Sequence, residues 1–348
     1  MVELKRIGLD LGTKTLVCSS RDADGRPRFK QEINGFFVFP QTDAFTRNML
    51  VQQKIPFIER DGKFVALGIK AERFAYAINS TLRRPMAEGT ISHEEEAITI
   101  MAAIVQAMLK GELGKDSQDA ILYYCIPASA LNKSTNVPFH DKVAKMIFDS
   151  YRHSKIHAYP INEARAIAIG SQEPVAIAIS WGAGMVNVCY TLFGVPIFEF
   201  SLVGAGDWID IETARQFGYD PDRPNHKSSE TPTTICHRKQ NIDLTKGISE
   251  FDRIDQAIAM HYQILIERVV GGIINGFADN IDKARIEQSV PIIMAGGTAS
   301  PSGFGDYFSS ILNKYTLPFS VSDIRVMDRP LYTVAEGCLI AAESHEVQ

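Results

Sequence analysis

The sequence predicts an α/β protein of two similar lobes, and three glycine sites carry that expectation. In VAIAISWGAGMVNVC the apolar run Val175–Ile179 reads as a buried strand, followed by the turn Gly182-Ala183-Gly184 and a second apolar run. RIGLDLGTKTLVCSSRDADGRPRF repeats the plan at the N-terminus, with Asp10 where Ser180 stands and Gly12 where Gly182 stands. Both hairpins close on G-x-P-x-F, at Gly25–Phe29 and at Gly194–Phe198. The third site, SVPIIMAGGTASPSGFGDYF, reads as a strand from Val290 to Met294, then Gly296-Gly297-Thr298, then a helix beginning near Ser302. Such turns let backbone N–H groups approach a phosphate. Each has a plainer reading: strand–glycine–strand is common enough to recur by chance, and GG-T alone is a tight turn. Together the hairpins imply two lobes facing a cleft, each with a phosphate-gripping turn.

Composition bounds the rest. At 348 residues the chain can form two domains or one bilobal unit, and 45% hydrophobic residues support sizeable cores. A net charge of −5 gives no general pull toward nucleic acid or anionic lipid, so no nucleic-acid partner is expected. Cys18, Cys125, Cys189, Cys236 and Cys338 are scattered and odd in number, as suits reduced thiols better than disulfides or a zinc site. MVELKRIGLDLG has no signal-peptide pattern, and no run approaches the roughly 18 apolar residues of a membrane span. These readings predict a soluble, cytoplasmic protein.

The elements follow in order. Residues 1–32 form a hairpin sheet, and the inserted stretch 33–76 carries Arg60-Asp61-Gly62 as a hairpin turn. Ser92 and Glu95 have capping-box spacing before a helix over 92–111 with an apolar face through Ile98, Met101, Ala102, Val105 and Met108. ILYYCIPASALNKSTNVPFHDKVAKMIF reads as a strand ending at Pro127 and then a helix. YDPDRPNHKSSETPTTICHRKQNIDLTKG is turn-rich and reads as the least ordered insertion. A long apolar helix over 252–276 is core, and TVAEGCLIAAES closes the chain as a helix. The expected domains are a first lobe of 1–32, 77–163 and 330–348 with the insertion 33–76, and a second lobe of 164–211 and 252–329 with the insertion 212–251.

Taken in order, DLGT at 10–13, GAG at 182–184 and AGGT at 295–298 resemble the phosphate and adenosine loops of the actin, heat-shock chaperone and sugar kinase ATPase superfamily. YPINEARAIAIG resembles the helix start that carries a catalytic glutamate in bacterial actins. Arg84-Pro85-Met86 through Gly89 is similar to the MreB pattern, while GLDLGTKTLVCSSR, GAG and VGAGDWID are nearer to MamK. The resemblance covers nearly the whole chain. It implies a two-lobed actin-like ATPase fold of duplicated ribonuclease H-like domains, ATP or GTP with Mg²⁺ as ligand, and nucleotide-dependent assembly into filaments. The alternatives are a non-polymerising nucleotide-binding scaffold and a small-molecule kinase. Kinases place a catalytic acid near the connecting segment, and Ile126-Pro127-Ala128-Ser129 has none. A chaperone is disfavoured because little chain follows residue 330. No motif identifies a membrane or organelle adaptor.

The resemblance assigns roles residue by residue. Asp10 holds Mg²⁺, through water; Gly12, Thr13 and Lys14 meet the phosphates from one side and Gly182, Ala183 and Gly184 from the other. Gly296, Gly297 and Thr298 line the adenosine, and Glu163 addresses the attacking water. The plainer readings are a solvated strand-end aspartate at 10 and, at 163, a surface glutamate favoured by a helix dipole. Arg165, His237, Arg238 and Lys239 read as solvated charge, and no adenine-clamping lysine or glutamate can be placed in 228–247. The departure is Ser180, where relatives carry an aspartate, with Trp181 and Met185 also replacing smaller or hydroxyl residues. A serine offers no charge, so binding is expected to survive on backbone dipoles while hydrolysis slows. On this reading Ser180→Asp raises phosphate release and Glu163→Ala abolishes it.

Overall fold

The computed structural model describes residues 4–77, 82–113, 119–151, 155–222, 230–280, 282 and 289–346. Its contacts group the chain into two compact units: Met1–Ile126 with Asn136–Ile161 and Cys338–Gln348, and Pro127–Thr135 with Asn162–Gly337.

The first unit opens with the meander β1 (Lys5–Leu11), β2 (Thr15–Arg21) and β3 (Pro27–Ile33). β1 and β2 are antiparallel, pairing Asp10 with Val17 and Leu11 with Leu16. The insertion forms β4 (Phe36–Val38), α1 (Ala44–Gln52), β5 (Phe57–Arg60), β6 (Lys63–Leu67) and α2 (Gly68–Ala77). As predicted, Asp61 and Gly62 turn β5 into β6, at φ 49° and 70°. Phe37, Phe39, Phe64 and Leu50 give this insertion its own small core. The Arg84–Gly89 stretch belongs to a second tight hairpin, β7 (Met86–Ala87) and β8 (Thr90–Ile91), with Glu88 and Gly89 both at positive φ. Residues 78–81, ahead of this hairpin, lie outside the described residues.

α3 (Glu95–Leu113) starts three residues later than the capping-box spacing predicts. The Ser92 hydroxyl accepts from the Glu94 N–H, a local turn that delays the helix. β9 (Ala120–Ile126), α4 (Val137–Asp149) and β10 (Ile156–Asn162) follow, and the sheet runs β10-β9-β1-β2-β3 with β9 parallel to β1.

The second unit repeats that sheet. After α5 (Glu163–Ser171) come β11 (Val175–Trp181), β12 (Met185–Leu192) and β13 (Val195–Val203), again an antiparallel meander. α6 (Gly206–Gln216), α7 (Pro232–Gln240), α8 (Arg253–Asp279), β14 (Val290–Ala295), α9 (Phe304–Leu312), β15 (Val321–Val326) and α10 (Thr333–Glu343) complete the chain. The order β13-β12-β11-β14-β15, with β14 parallel to β11, matches the first sheet strand for strand. The sequence echo is therefore a duplicated five-stranded sheet.

Two readings need correction. The stretch 219–247 is not uniformly turn-rich, because 232–240 is helical, with Thr231 in a capping box and Pro232 in the first turn; 223–229 lie outside the described residues. α8 is long and apolar enough, by composition, to cross a membrane. Ile258, Tyr262, Leu265, Val269 and Ile273 instead bury it in the core, with Trp181, Phe304 and Phe308. Each fully buried side chain of this size stabilises by roughly 1.5–3 kcal/mol, and Trp181 at the end of β11 is among them.

Candidate functional site

In the second unit, the turn after β11 is built by its neighbours. Gly182 donates to the Met185 carbonyl at 3.0 Å, closing the hairpin. The carbonyls are turned inward: Gly182 O accepts from Gly206 N at 3.2 Å, Ala183 O from Asp207 N at 2.8 Å, and Gly184 O from Gly204 N at 3.1 Å. Two of these donors are the first N–H groups of α6, which has no side-chain cap, so the turn caps the helix. The Thr298 hydroxyl adds a fourth bond, donating to Gly182 O at 2.8 Å. With the carbonyls engaged, the N–H groups of Ala183 and Gly184 meet no acceptor among the described residues. Adjacent free backbone N–H groups form an anion-binding concavity.

The third loop packs directly on this turn. Gly296 has φ 99°, and a Cβ there would lie 2.4 Å from the Trp181 carbonyl oxygen, so only glycine permits the approach. Gly297 is exposed at the start of a short 3-10 turn, Gly297–Ala299, and Thr298 is buried beneath it. Lys239 corrects the reading of solvated charge. It is 5% exposed, 2.7 Å from Asp210 in an ion pair buried on both sides, and it donates to the Gly206 carbonyl. Arg238 pairs with Asp252 and Asp255 on the neighbouring helix.

Glu163 is the first residue of α5, whose N–H groups at Ala164 and Arg165 are capped by Asn162 Oδ1. Its carboxylate is not left to solvent. Oε1 accepts from the Ser180 hydroxyl at 2.5 Å and Oε2 from Asn187 Nδ2 at 2.7 Å. Asn187 escaped the sequence reading; its one legible sign is its place opposite Ser180 in the hairpin register. Its Oδ1 in turn accepts from Ala128 N at 3.0 Å, in a segment that also bonds the edge of β13 through Leu131 N and Ser201 N.

In the first unit, the turn after β1 repeats the geometry. Asn34, buried and also unforeseen, braces it: its Nδ2 donates to Gly12 O at 2.9 Å and its N–H to Lys14 O at 2.9 Å. Thr13 is buried, Lys14 is half-buried, and the Thr13 N–H has no acceptor among the described residues. The Asp10 carboxylate is buried and accepts from the Cys125 thiol at 3.1 Å. Burial lifts its pKa from 3.8 to about 6, with the thiol's hydrogen bond pulling the other way. Such a group gains from a cation beside it. Among the described residues no cluster of three or more His, Cys, Asp or Glu could hold a metal. A lone buried carboxylate fits Mg²⁺, which binds through one or two carboxylates, waters and substrate phosphates, and does not fit a protein-caged metal.

This arrangement, a duplicated sheet with a glycine turn at the end of each central hairpin, is the actin-like ATPase fold, and solved structures agree. A MamK double helical filament superposes with a TM-score of 0.71 at 16% identity, covering 98% of this chain and 99% of that one. A non-polymerising MamK mutant bound to AMPPNP gives 0.59 at 16% identity over 98% and 100%. The ethanolamine utilization protein EutJ from Carboxydothermus hydrogenoformans gives 0.55 at 16% over 98% and 91%. No curated protein sequence matches. The Volactin family model matches residues 6–342, and the chain belongs to the Volactin family.

Proposed function

We propose that this chain is a cytoplasmic actin-like protein that binds ATP with Mg²⁺, assembles into filaments under nucleotide control, and hydrolyses the nucleotide slowly. One observation carries the reading: in the second unit the 182–184 carbonyls are bonded inward, leaving the Ala183 and Gly184 N–H groups without acceptors beside a fixed Glu163 carboxylate. That is a built place for phosphate oxygens next to a group able to orient a water. Asp10 would hold Mg²⁺, whose charge neutralises the phosphates when bound, and the Thr13 N–H offers a donor of the same kind. Glu163 is the group placed to orient that water, its carboxylate held by Ser180 and Asn187. Filament formation is supported by the fold shared with the MamK double helical filament, and nucleotide binding by the fold shared with the AMPPNP-bound MamK mutant.

Sedimentation with and without ATP and Mg²⁺ tests assembly, and calorimetry on nucleotide-free protein tests binding. Pelleting that needs both ligands is the expected result. Heat of binding with no pelleting would make the chain a scaffold; no heat with ATP or GTP at millimolar concentration would remove the reading of the loops altogether.

A further inference from the structure

We infer that Ser180 and Asn187 are positioning residues for Glu163, a pair of neutral donors that fix its carboxylate, and that Ser180 is the fitted partner of this glutamate, not a lost acid. The inference rests on the proposed nucleotide turnover for its kinetic consequences and on the structure alone for the clamp.

Ser180 and Asn187 face each other directly in the antiparallel register of β11 and β12. Directly opposed residues project on the same side of a sheet, and α5 packs against both strands. The two side chains reach different oxygens of one carboxylate, Oε1 from Ser180 and Oε2 from Asn187. Ser180 is 1% exposed and Asn187 0%, so water does not compete for either donor. The amide of Asn187 cannot turn over without loss, because its oxygen takes the Ala128 N–H at 3.0 Å while its nitrogen serves Glu163. A carboxylate has roughly four acceptor sites, and two donors on different oxygens set its plane.

Both donors are uncharged, and that decides what an acid at 180 does. A carboxylate in place of the hydroxyl would sit within hydrogen-bonding distance of Glu163 Oε1, and two carboxylates sharing a site hold a proton between them. Glu163 would then spend part of its time protonated or turned toward the new acid. The expectation from the sequence, that Ser180→Asp speeds phosphate release, is reversed by this contact.

Four measurements on Ser180→Ala, Ser180→Thr, Ser180→Asp and Asn187→Asp test it. Nucleotide affinity by calorimetry should stay near wild type, since the cradle at 183–184 is backbone. Phosphate release should fall about 10–100-fold in Ser180→Ala, the order of loss that a misplaced group produces, and Ser180→Thr, which keeps the hydroxyl, should retain most of the rate. In Ser180→Asp and Asn187→Asp the rate should fall and the acid limb of its pH profile should move to higher pH. Carbon-13 titration of the Glu163 carboxyl in nucleotide-free protein reads the clamp without turnover, and its midpoint should move up in Ser180→Ala and further in both acid variants. Release from Ser180→Asp faster than wild type, or a Ser180→Ala titration unchanged from wild type, overturns the inference. A moved titration in a protein that gives no heat with nucleotide upholds the clamp and removes the proposed function instead.

Discussion

Asp10 and Ser180 are each the penultimate residue of the first strand of a duplicated hairpin, yet their neighbourhoods differ in kind. Asp10 lies across from Val17 with a thiol as its donor, whereas Ser180 lies across from Asn187 with Glu163 between them. The glycines that follow show what has been kept. A Cβ on Gly12 would be 3.7 Å from Asp10 Oδ1, and one on Gly182 would be 3.9 Å from Glu163 Oε1. Each turn thus has a carboxylate oxygen in the same place, supplied by the strand itself in one unit and by α5 in the other. The duplicated frame conserves the position of the charge while its source and its partners diverge. A buried acid with one weak donor invites a cation; an acid held by two neutral donors is set to orient something else.

The largest effect is expected at Asp10. The folded state holds a proton on Asp10 more tightly than the unfolded state does, so its contribution favours folding fully below the unfolded value of 3.8 and is lost as pH rises through about 6. Above that range the ionised group costs up to about 3 kcal/mol, the energy of a shift this size. Asp10→Asn keeps an acceptor for the Cys125 thiol and removes the charge. Urea unfolding of nucleotide-free protein at pH 8 should show the variant to be the more stable, with the two curves converging at pH 4. Affinity for magnesium nucleotide should fall about 10–100-fold, as when a group supporting a metal is removed. A variant no more stable at pH 8 would mean that Asp10 is not an uncompensated charge, and the contrast between the hairpins would go with it.

The glycines come next. A Cβ on Gly12 would approach the Thr15 carbonyl to 2.4 Å and one on Gly182 the Met185 carbonyl to 2.7 Å, so both turns must open to admit alanine. Each substitution should cost about 1–3 kcal/mol in thermal melts, the usual range for forced packing. Equal losses would support one hairpin plan used twice. A large loss at one site and none at the other would show that the two turns are not equivalent.

Much of this frame is legible in the sequence because glycine and β-branched runs report backbone geometry directly. The hairpins, the Asp61-Gly62 turn and the strand before Gly296 all fall where apolar periodicity and turn residues place them. Asn34 and Asn187 are not legible, since a single asparagine has no local signature and its role depends on strands and loops distant in sequence. Lys239 is misread for a related reason: HRKQ looks like a solvated run, and only the packing of α7 on α6 shows Asp210 waiting for the ammonium. α7 itself hides behind weak helix formers, although Thr231 and Pro232 mark its start.

The smallest effect sharpens the comparison most finely, because it concerns only the brace. In the first unit the Gly12 carbonyl is held by an asparagine; in the second the Gly182 carbonyl is held by the Thr298 hydroxyl together with Gly206 N. Thr298→Val keeps the shape and removes the hydroxyl. The Gly182 oxygen retains one donor, so no buried acceptor is stranded, and the loss should be about 1 kcal/mol, the net worth of one hydrogen bond. The Tyr262 hydroxyl bonds the Thr298 backbone oxygen, which the substitution leaves in place, so the 297–299 turn should stay docked. What changes is the stiffness of the Gly182 peptide, and through it the aim of the Ala183 and Gly184 N–H groups. Calorimetry should therefore show nucleotide affinity weakened by less than about tenfold, the equivalent of 1.4 kcal/mol, alongside a small drop in melting temperature. A melting temperature that falls while affinity holds would make Thr298 a packing residue of the third loop and leave the cradle to the α6 start alone.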